Sequence, residues 1–175
     1  MKWHAVINVW GTRLFWVVFI SLIGYLRILK EEVIVKKNDE INLQEIKQLN
    51  PEIVVISPGP KTPKESKISL EIFEKLKGKY AILGICLGHQ ALAYSMGLDI
   101  VKGPRPMHGK MTEINHDGKG IFIDIPNPVK VMRYHSLIVD DSKFENGMYE
   151  DMVITSKTSD GIIMGFRDSK NKIET

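Results

Sequence analysis

Two short apolar runs, each followed by a helical pattern, constrain most strongly how this chain folds. "IVVIS" (residues 53–57) and "YAILGI" (residues 80–85) are continuous apolar stretches, and helical periodicity follows both, over residues 66–76 and 87–96. Continuous apolar runs of this length are typical of parallel strands that helices cover on both faces. The alternation therefore predicts an α/β fold with a mostly parallel sheet flanked by helices.

The second half of the chain has a different character. From Lys110 onward, strand-like segments alternate with turn signals such as Asp117-Gly118 and Asp160-Gly161. The segments are "KMTEI", "GIFIDI" (residues 120–125), "VKVMRYHSLIV", "DMVITSK" and "GIIMGF". They predict an antiparallel extension of the same sheet, within one domain over residues 1–175.

The N-terminal segment is strongly apolar but short. "LFWVVFISLIGYL" (residues 14–26) is bracketed by Arg13 and Arg27, and a membrane-spanning helix needs about 20 such residues. No small-residue cleavage site follows it, so we expect a buried first helix rather than a targeting segment, and no membrane partner.

Charge and cysteine content exclude several classes of function. The formal net charge is +3 with the lysines spread along the chain, which lacks the basic stripe that nucleic-acid binding requires. Cys86 is the single cysteine, so no intrachain disulfide and no thiolate zinc cluster are expected. The sequence predicts a protein of the reducing cytoplasm, with no metal and no cofactor.

Cys86 has the surroundings of a nucleophile. Gly84-Ile85-Cys86-Leu87-Gly88 follows one predicted strand and opens a predicted helix, which is the geometry of a nucleophile elbow. The helix N-terminus would favour the thiolate, and the Leu87 N–H would point at an oxyanion on an attacked carbonyl. The alternative is a small, buried, inert cysteine.

The loop "SPGPKTP" (residues 57–63) ends the neighbouring strand. It is not a phosphate-binding P-loop, because Pro60 separates Gly59 from Lys61 and removes an amide donor. Either the proline-fixed turn presents the Gly59 N–H as a second oxyanion donor, or it is only a stiff surface turn.

Four motifs in order, "SPGPKTP", "GICLGHQA", "MHGK" and "RYHSLIV", resemble class I glutamine amidotransferases. They are most similar to the small subunit of anthranilate synthase and aminodeoxychorismate synthase. The resemblance implies that Cys86 attacks the side-chain amide of L-glutamine and that ammonia passes to a larger, chorismate-binding synthase subunit. It does not decide between the anthranilate and the aminodeoxychorismate product.

The resemblance also assigns roles to other residues. It implies that Gly59 and Leu87 donate N–H groups to the oxyanion, and that His108, Gly109 and Lys110 face the partner subunit. The residues that it implies for binding glutamine are Gly59, Pro60, Lys61, Gln90, Ser136 and Leu137.

Two stretches depart from the family pattern. The family's base is a histidine in a His-Pro-Glu motif, which this sequence lacks; it runs "GIIMGFRDSKNKIET" to Thr175. We therefore expect a truncated C-terminus without the last strand and helix, and impaired glutamine hydrolysis. Residues 1–24 are also atypical. His89 should point away from Cys86, and strand alternation should turn His135 away from a pocket lined by Ser136.

Two other functions remain open. One is a non-catalytic interaction subunit that stabilises the synthase while free ammonia feeds its reaction. The other is a different cysteine hydrolase on a similar fold, of the peptidase or deglycase type, which would not need Gln90, Ser136 and Leu137.

Overall fold

A computed structural model describes residues 4–9, 13–60, 62–144 and 151–175. The strands are β1 (His4–Val9), β2 (Glu32–Lys37), β3 (Ile53–Ile56), β4 (Ala81–Gly84), β5 (Ile100–His116), β6 (Val129–Val139), β7 (Met152–Thr158), β8 (Ile163–Asp168) and β9 (Ile173–Glu174). The helices are α1 (Arg13–Ile28), α2 (Leu43–Leu49), α3 (Lys67–Lys75) and α4 (Leu87–Ser95), with 3-10 turns at Pro63–Glu65 and Gly120–Phe122.

In the described part of the chain, the strands form one nine-stranded sheet in the order β2-β1-β3-β4-β9-β8-β7-β5-β6. The pairs among β2, β1, β3, β4 and β9 are parallel. The pairs from β9 through β8, β7, β5 and β6 are antiparallel. The predicted fold class, a parallel core with an antiparallel extension, is confirmed.

Helices cover both faces of the parallel half. The main core lies on one face, where Val54, Ile56 and Ile82 of the strands pack with residues of α2, α3 and α4. On the opposite face Val55 packs against partly buried residues of α1 and the strands, which are Leu22, Ile23, Leu26, Val33, Ile53, Leu83 and Ile85. Neighbouring strand residues thus point to opposite faces, and both faces are apolar.

Helix α1, over its described side chains from Ile20 onward, is less buried than the sequence predicts. One face of it packs on the sheet, but Ile20, Tyr25 and Ile28 are 61%, 69% and 75% exposed. Across the described residues, none of the helices combines the length and apolar character that crossing a membrane would need.

The predicted strand over residues 120–125 is wrong. Gly120–Phe122 is a 3-10 turn, and Ile121, Ile123 and Ile125 are exposed by 47%, 61% and 42%. The apolar alternation is real, but Gly118 and Gly120 take positive φ angles of 69° and 57°. These left-handed residues bend the chain out of the extended conformation before it can pair.

The turn between β4 and α4 brings backbone segments very close together. A methyl group on Gly88 would lie 2.6 Å from the Ile56 carbonyl oxygen of β3. A methyl group on Gly84 would lie 2.8 Å from the Gly88 carbonyl carbon and 3.0 Å from Thr175 Cγ2. The two glycines therefore let α4 begin directly against the sheet.

We expect Gly88→Ala to destabilise the protein by about 1–3 kcal/mol, because the added methyl group meets backbone that cannot move aside. For a chain of this size each kcal/mol lowers the melting temperature by about 2–4 °C. Thermal unfolding followed by circular dichroism measures the change.

Gly24→Ala in α1 is the matched control, since nothing lies within 4 Å of that methyl position. Alanine at a helical glycine should leave stability unchanged or raise it by up to about 1 kcal/mol. A melting temperature of Gly88→Ala equal to that of the wild type would contradict the packing argument.

Candidate active site

Cys86 stands in the turn between β4 and α4, with φ 54° and ψ −96°. A positive φ costs a residue with a side chain about 1–3 kcal/mol, so its surroundings must hold it. The Ile85 N–H donates to the Ile56 carbonyl at 2.9 Å, and the Gln90 N–H donates to the Cys86 carbonyl at 3.0 Å. The sharp, strained turn that the flanking glycines predict is present.

The Cys86 side chain lines a cavity of about 620 Å³. The elbow, α4 and β6 form much of its wall, together with Pro58, Ile121 and Phe122. The volume falls within the range of about 300–1,000 Å³ that is usual for small-molecule sites. A free amino acid fits a cavity of this size.

The thiol is not activated in this arrangement. Burial raises the pKa of Cys86 to about 11, and a hydrogen bond from the Leu87 N–H offsets only part of that rise. The sequence predicts that the helix N-terminus favours the thiolate, and in the structure desolvation outweighs this effect. At neutral pH the group is therefore a neutral thiol.

His89 is half-buried, and its ring is engaged in contacts other than with Cys86. Its Nδ1 lies 3.0 Å from Thr175 Oγ1, and its ring stacks on Phe166 with the centroids 5.1 Å apart. Burial, with a smaller contribution from His135, lowers the pKa of His89 to about 4. His89 therefore has a packing role, but it lines the same cavity as Cys86, whereas the sequence predicts that it points away.

His135 does not turn away from the site, because His135 and its neighbour Ser136 are exchanged relative to the expectation while still lying on opposite faces. His135 lines the cavity, whereas Ser136 does not. Ser136 is exposed, and its Oγ lies 3.3 Å from Nε2 of His108, which does line the cavity. The expectation took Ser136 as the lining residue; since neighbouring strand residues point to opposite faces, placing His135 at the cavity turns Ser136 to the surface.

The remaining histidines are engaged elsewhere. His116 Nε2 lies 3.0 Å from the Pro126 carbonyl oxygen, and its Nδ1 accepts from the Gly118 N–H at 3.1 Å. The side chain of His4 lies outside the described residues. Over the ranges that the structure describes, no side chain hydrogen-bonds the Cys86 sulfur, and no cluster of His, Cys, Asp or Glu could hold a metal ion.

The residues implied for glutamine binding are brought together only in part. Gln90 is buried, and its Nε2 donates to the Leu137 carbonyl at 3.3 Å beside the cavity. Gly59 and Pro60 are half-buried directly after Pro58, which lines the cavity. Lys61 lies outside the described residues.

The segment implied to face a partner lies on β5. His108, Gly109 and Lys110 are all exposed. Gly109 takes a φ of 71°, and a methyl group there would lie 2.8 Å from Tyr134 Oη. The register shift between His108 and Lys110 is thus a bulge that displays the Lys110 side chain at the surface.

Sequence reasoning missed Arg133. It is 4% exposed, and its Nε donates to His135 Nε2 at 2.9 Å at the wall of the cavity. The signal was available, because residues two apart on a strand share a face, and an arginine paired with a histidine there indicates a buried polar contact.

The sequence matches known proteins over most of its length. The family model "Glutamine amidotransferase class-I" matches residues 18–175. The aminodeoxychorismate/anthranilate synthase component 2 of Bacillus subtilis is 44% identical over 154 residues, which are 88% of this chain and 77% of that protein. The anthranilate synthase component 2 of Porphyra purpurea is 45% identical over 145 residues, which are 83% of this chain and 75% of that protein.

The fold is also similar to solved structures. A glutamine amidotransferase from Thermotoga maritima superposes with a TM-score of 0.76 at 16% identity, covering 99% of this chain and 74% of that one. At this level of identity the likeness supports the fold.

We expect alkylation of Cys86 by iodoacetamide to report its raised pKa. Because the thiolate is the reactive form, the rate should rise about tenfold per pH unit from pH 7 and level off only near pH 11. Timed mass spectrometry of the intact protein measures it. In urea, the alkylation rate of the same protein should level off near pH 8.5–9, as it does for a free cysteine. That is about two pH units below the plateau of the folded protein. A plateau near pH 7 in the folded protein would contradict the structure.

Proposed function

Since this chain belongs to the class I glutamine amidotransferase family, we propose that it supplies ammonia from glutamine to an anthranilate or aminodeoxychorismate synthase. One observation carries the proposal: an elbow cysteine at positive φ lines a cavity large enough for an amino acid. Relatives that are components of both synthases support the pathway. The choice of product belongs to the larger, chorismate-binding subunit.

In the proposed reaction the Cys86 sulfur attacks the side-chain amide carbon of glutamine. The N–H groups of Leu87 and Gly59 stabilise the oxyanion that forms. The carbon–nitrogen bond then breaks, ammonia leaves with the thiol proton, and a thioester remains. Water hydrolyses the thioester to glutamate and restores the thiol. The proposal assigns the protein to the cytoplasm, where a lone cysteine stays reduced.

The proposed substrate contacts are the residues of the motifs that resemble the family. Gln90 and Leu137, which are hydrogen-bonded to one another beside the cavity, are proposed to hold the amino-acid end of glutamine. Ser136 is proposed to join them through the His108 contact. Pro60 and Lys61 are proposed to complete the loop that follows β3.

We also propose that glutamine hydrolysis by this chain is slow. With a pKa near 11, about one thiol in 10⁴ is ionised at pH 7. Among the described residues no histidine contacts the sulfur, and a general base is typically worth about 10²–10⁴ in rate for each proton transfer that it assists. The same two facts favour the alternative function, a non-catalytic subunit that stabilises the synthase.

Glutamine and ammonium salts distinguish the two functions in the reconstituted complex with the larger subunit. We expect Cys86→Ala to remove all glutamine-dependent product, because the thioester cannot form, and to leave ammonium-dependent product unchanged. Product fluorescence or chromatography measures both rates. Ser95→Ala, at the far end of α4, is the matched control and should change neither rate.

Each outcome has a distinct meaning. Weak glutamine-dependent activity that Cys86→Ala removes supports an impaired glutaminase. No glutamine-dependent activity, with ammonium-dependent activity raised by adding the chain, supports the stabilising subunit. Glutamine-dependent activity that survives in Cys86→Ala would overturn the assignment of the nucleophile.

We propose that the exposed segment from His108 to Lys110 contacts the larger subunit, and expect Lys110→Glu to slow association about tenfold. A reversed charge at the rim of an interface acts mainly on the association rate and its salt dependence. Surface plasmon resonance at two salt concentrations measures this. Lys47→Glu, an exposed residue on α2, is the charge-matched control. Equal association rates for both variants would place the interface elsewhere.

A further inference from the structure

The buried Arg133 and the half-buried His135 form a polar pair on β6 beside the cavity. The Arg133 Nε donates to His135 Nε2 at 2.9 Å. An arginine Nε always carries its proton, so His135 Nε2 must be the acceptor. The direction of this hydrogen bond is therefore fixed by chemistry and does not depend on the placement of a hydrogen atom.

That direction also fixes the tautomer of His135. With a lone pair on Nε2, the single proton of the neutral ring lies on Nδ1. Nδ1 is 2.9 Å from the Leu137 carbonyl oxygen and so donates to it. The pKa of His135 is lowered, mainly by burial and to a smaller extent by the nearby Arg133 charge. The hydrogen bond to the Leu137 carbonyl acts in the opposite direction and raises this pKa.

The Leu137 carbonyl accepts a second hydrogen bond, from Gln90 Nε2 at 3.3 Å. One oxygen thus holds donors from two elements, the imidazole of β6 and the amide of α4. The pair of bonds sets the plane of the Leu137 peptide and the position of the Gln90 side chain. The Arg133 charge is also attracted by Asp160 of the β7–β8 turn and repelled by Arg105 of β5.

We propose that Arg133 and His135 are positioning residues for the glutamine site. Arg133 holds His135 in the Nδ1–H form, and His135 holds the Leu137 carbonyl and, through it, the Gln90 amide. This inference rests on the proposed function, because it takes Gln90 and Leu137 as contacts of the substrate.

A glutamine-shaped diazoketone separates binding from chemistry in the full-length chain. The reagent binds as glutamine does; the Cys86 sulfur then displaces dinitrogen from its terminal carbon, which takes the thiol proton. The saturation constant KI measures how well the reagent binds in the site. The limiting rate kinact measures how fast the Cys86 thiol reacts once the reagent is bound. Free glutamine should protect the wild type from labelling.

We expect His135→Ala to raise KI about tenfold, the effect of losing one well-placed hydrogen bond, with kinact within about twofold. His135→Asn should keep KI near the wild-type value, because its side-chain NH₂ replaces the Nδ1–H donor. Melting temperatures of both variants identify any loss of folding. A KI that is unchanged in a folded His135→Ala would overturn the inference.

A double-mutant cycle tests whether Arg133 acts through His135. Arg133→Met should raise KI severalfold in the wild type and add nothing in His135→Ala. Lys130→Met, at an exposed position of β6, is the control for a methionine on that strand and should leave KI unchanged. Additive effects of Arg133→Met and His135→Ala on KI would overturn the inference that Arg133 acts through His135.

Nitrogen NMR of the imidazole gives a readout that does not require glutamine. The wild type should show His135 protonated at Nδ1, and Arg133→Met should show a mixture of tautomers. Protonation at Nε2 in the wild type would overturn the inference about Arg133 and His135 but would leave the proposed function standing. A wild type with no saturable, glutamine-protected labelling would remove the premise, and would overturn the proposed function with it.

Discussion

The close approach of the first turn of α4 to β3 is the constraint on which the site depends. Only hydrogen atoms at Gly88 and Gly84 fit between the helix, the Ile56 carbonyl and Thr175. The tight fit holds Cys86 at its positive φ, in a turn that lines the cavity. Backbone strain at the cysteine is thus sustained by the packing of the two glycines against β3, the first turn of α4 and Thr175.

Desolvation governs the electrostatics of the same cavity. It raises the pKa of Cys86 and lowers the pKa values of His89 and His135, so all three groups are neutral at pH 7. The neutral state of these three groups suits the uncharged amide of glutamine, but a neutral thiol is a weak nucleophile. In the proposed function, the neutral thiol is therefore one reason that glutamine hydrolysis by this chain is slow.

Part of the parallel half, consisting of β3, β4 and the elbow that leads into α4, was predictable because its signals are local. The apolar runs of β3 and β4 and the two glycines of the elbow are sufficient to specify strand, turn and helix. The face of β6 that meets the cavity, the neutral state of Cys86 and the turn at residues 120–125 depend on tertiary packing, burial and left-handed glycines. These properties arise from contacts between distant segments, which a single sequence does not display.

The position of β9 has a consequence for how the protein is made. β9 lies between β4 and β8 and joins the two halves of the sheet, yet it is synthesised roughly 90 residues after β4. At about 5–20 residues per second, the ribosome leaves the β4 edge unpaired for several seconds. During that interval an apolar strand edge is open to strands of other nascent chains. Yield in the cell should therefore depend on the speed of translation and on chaperones that shield this edge.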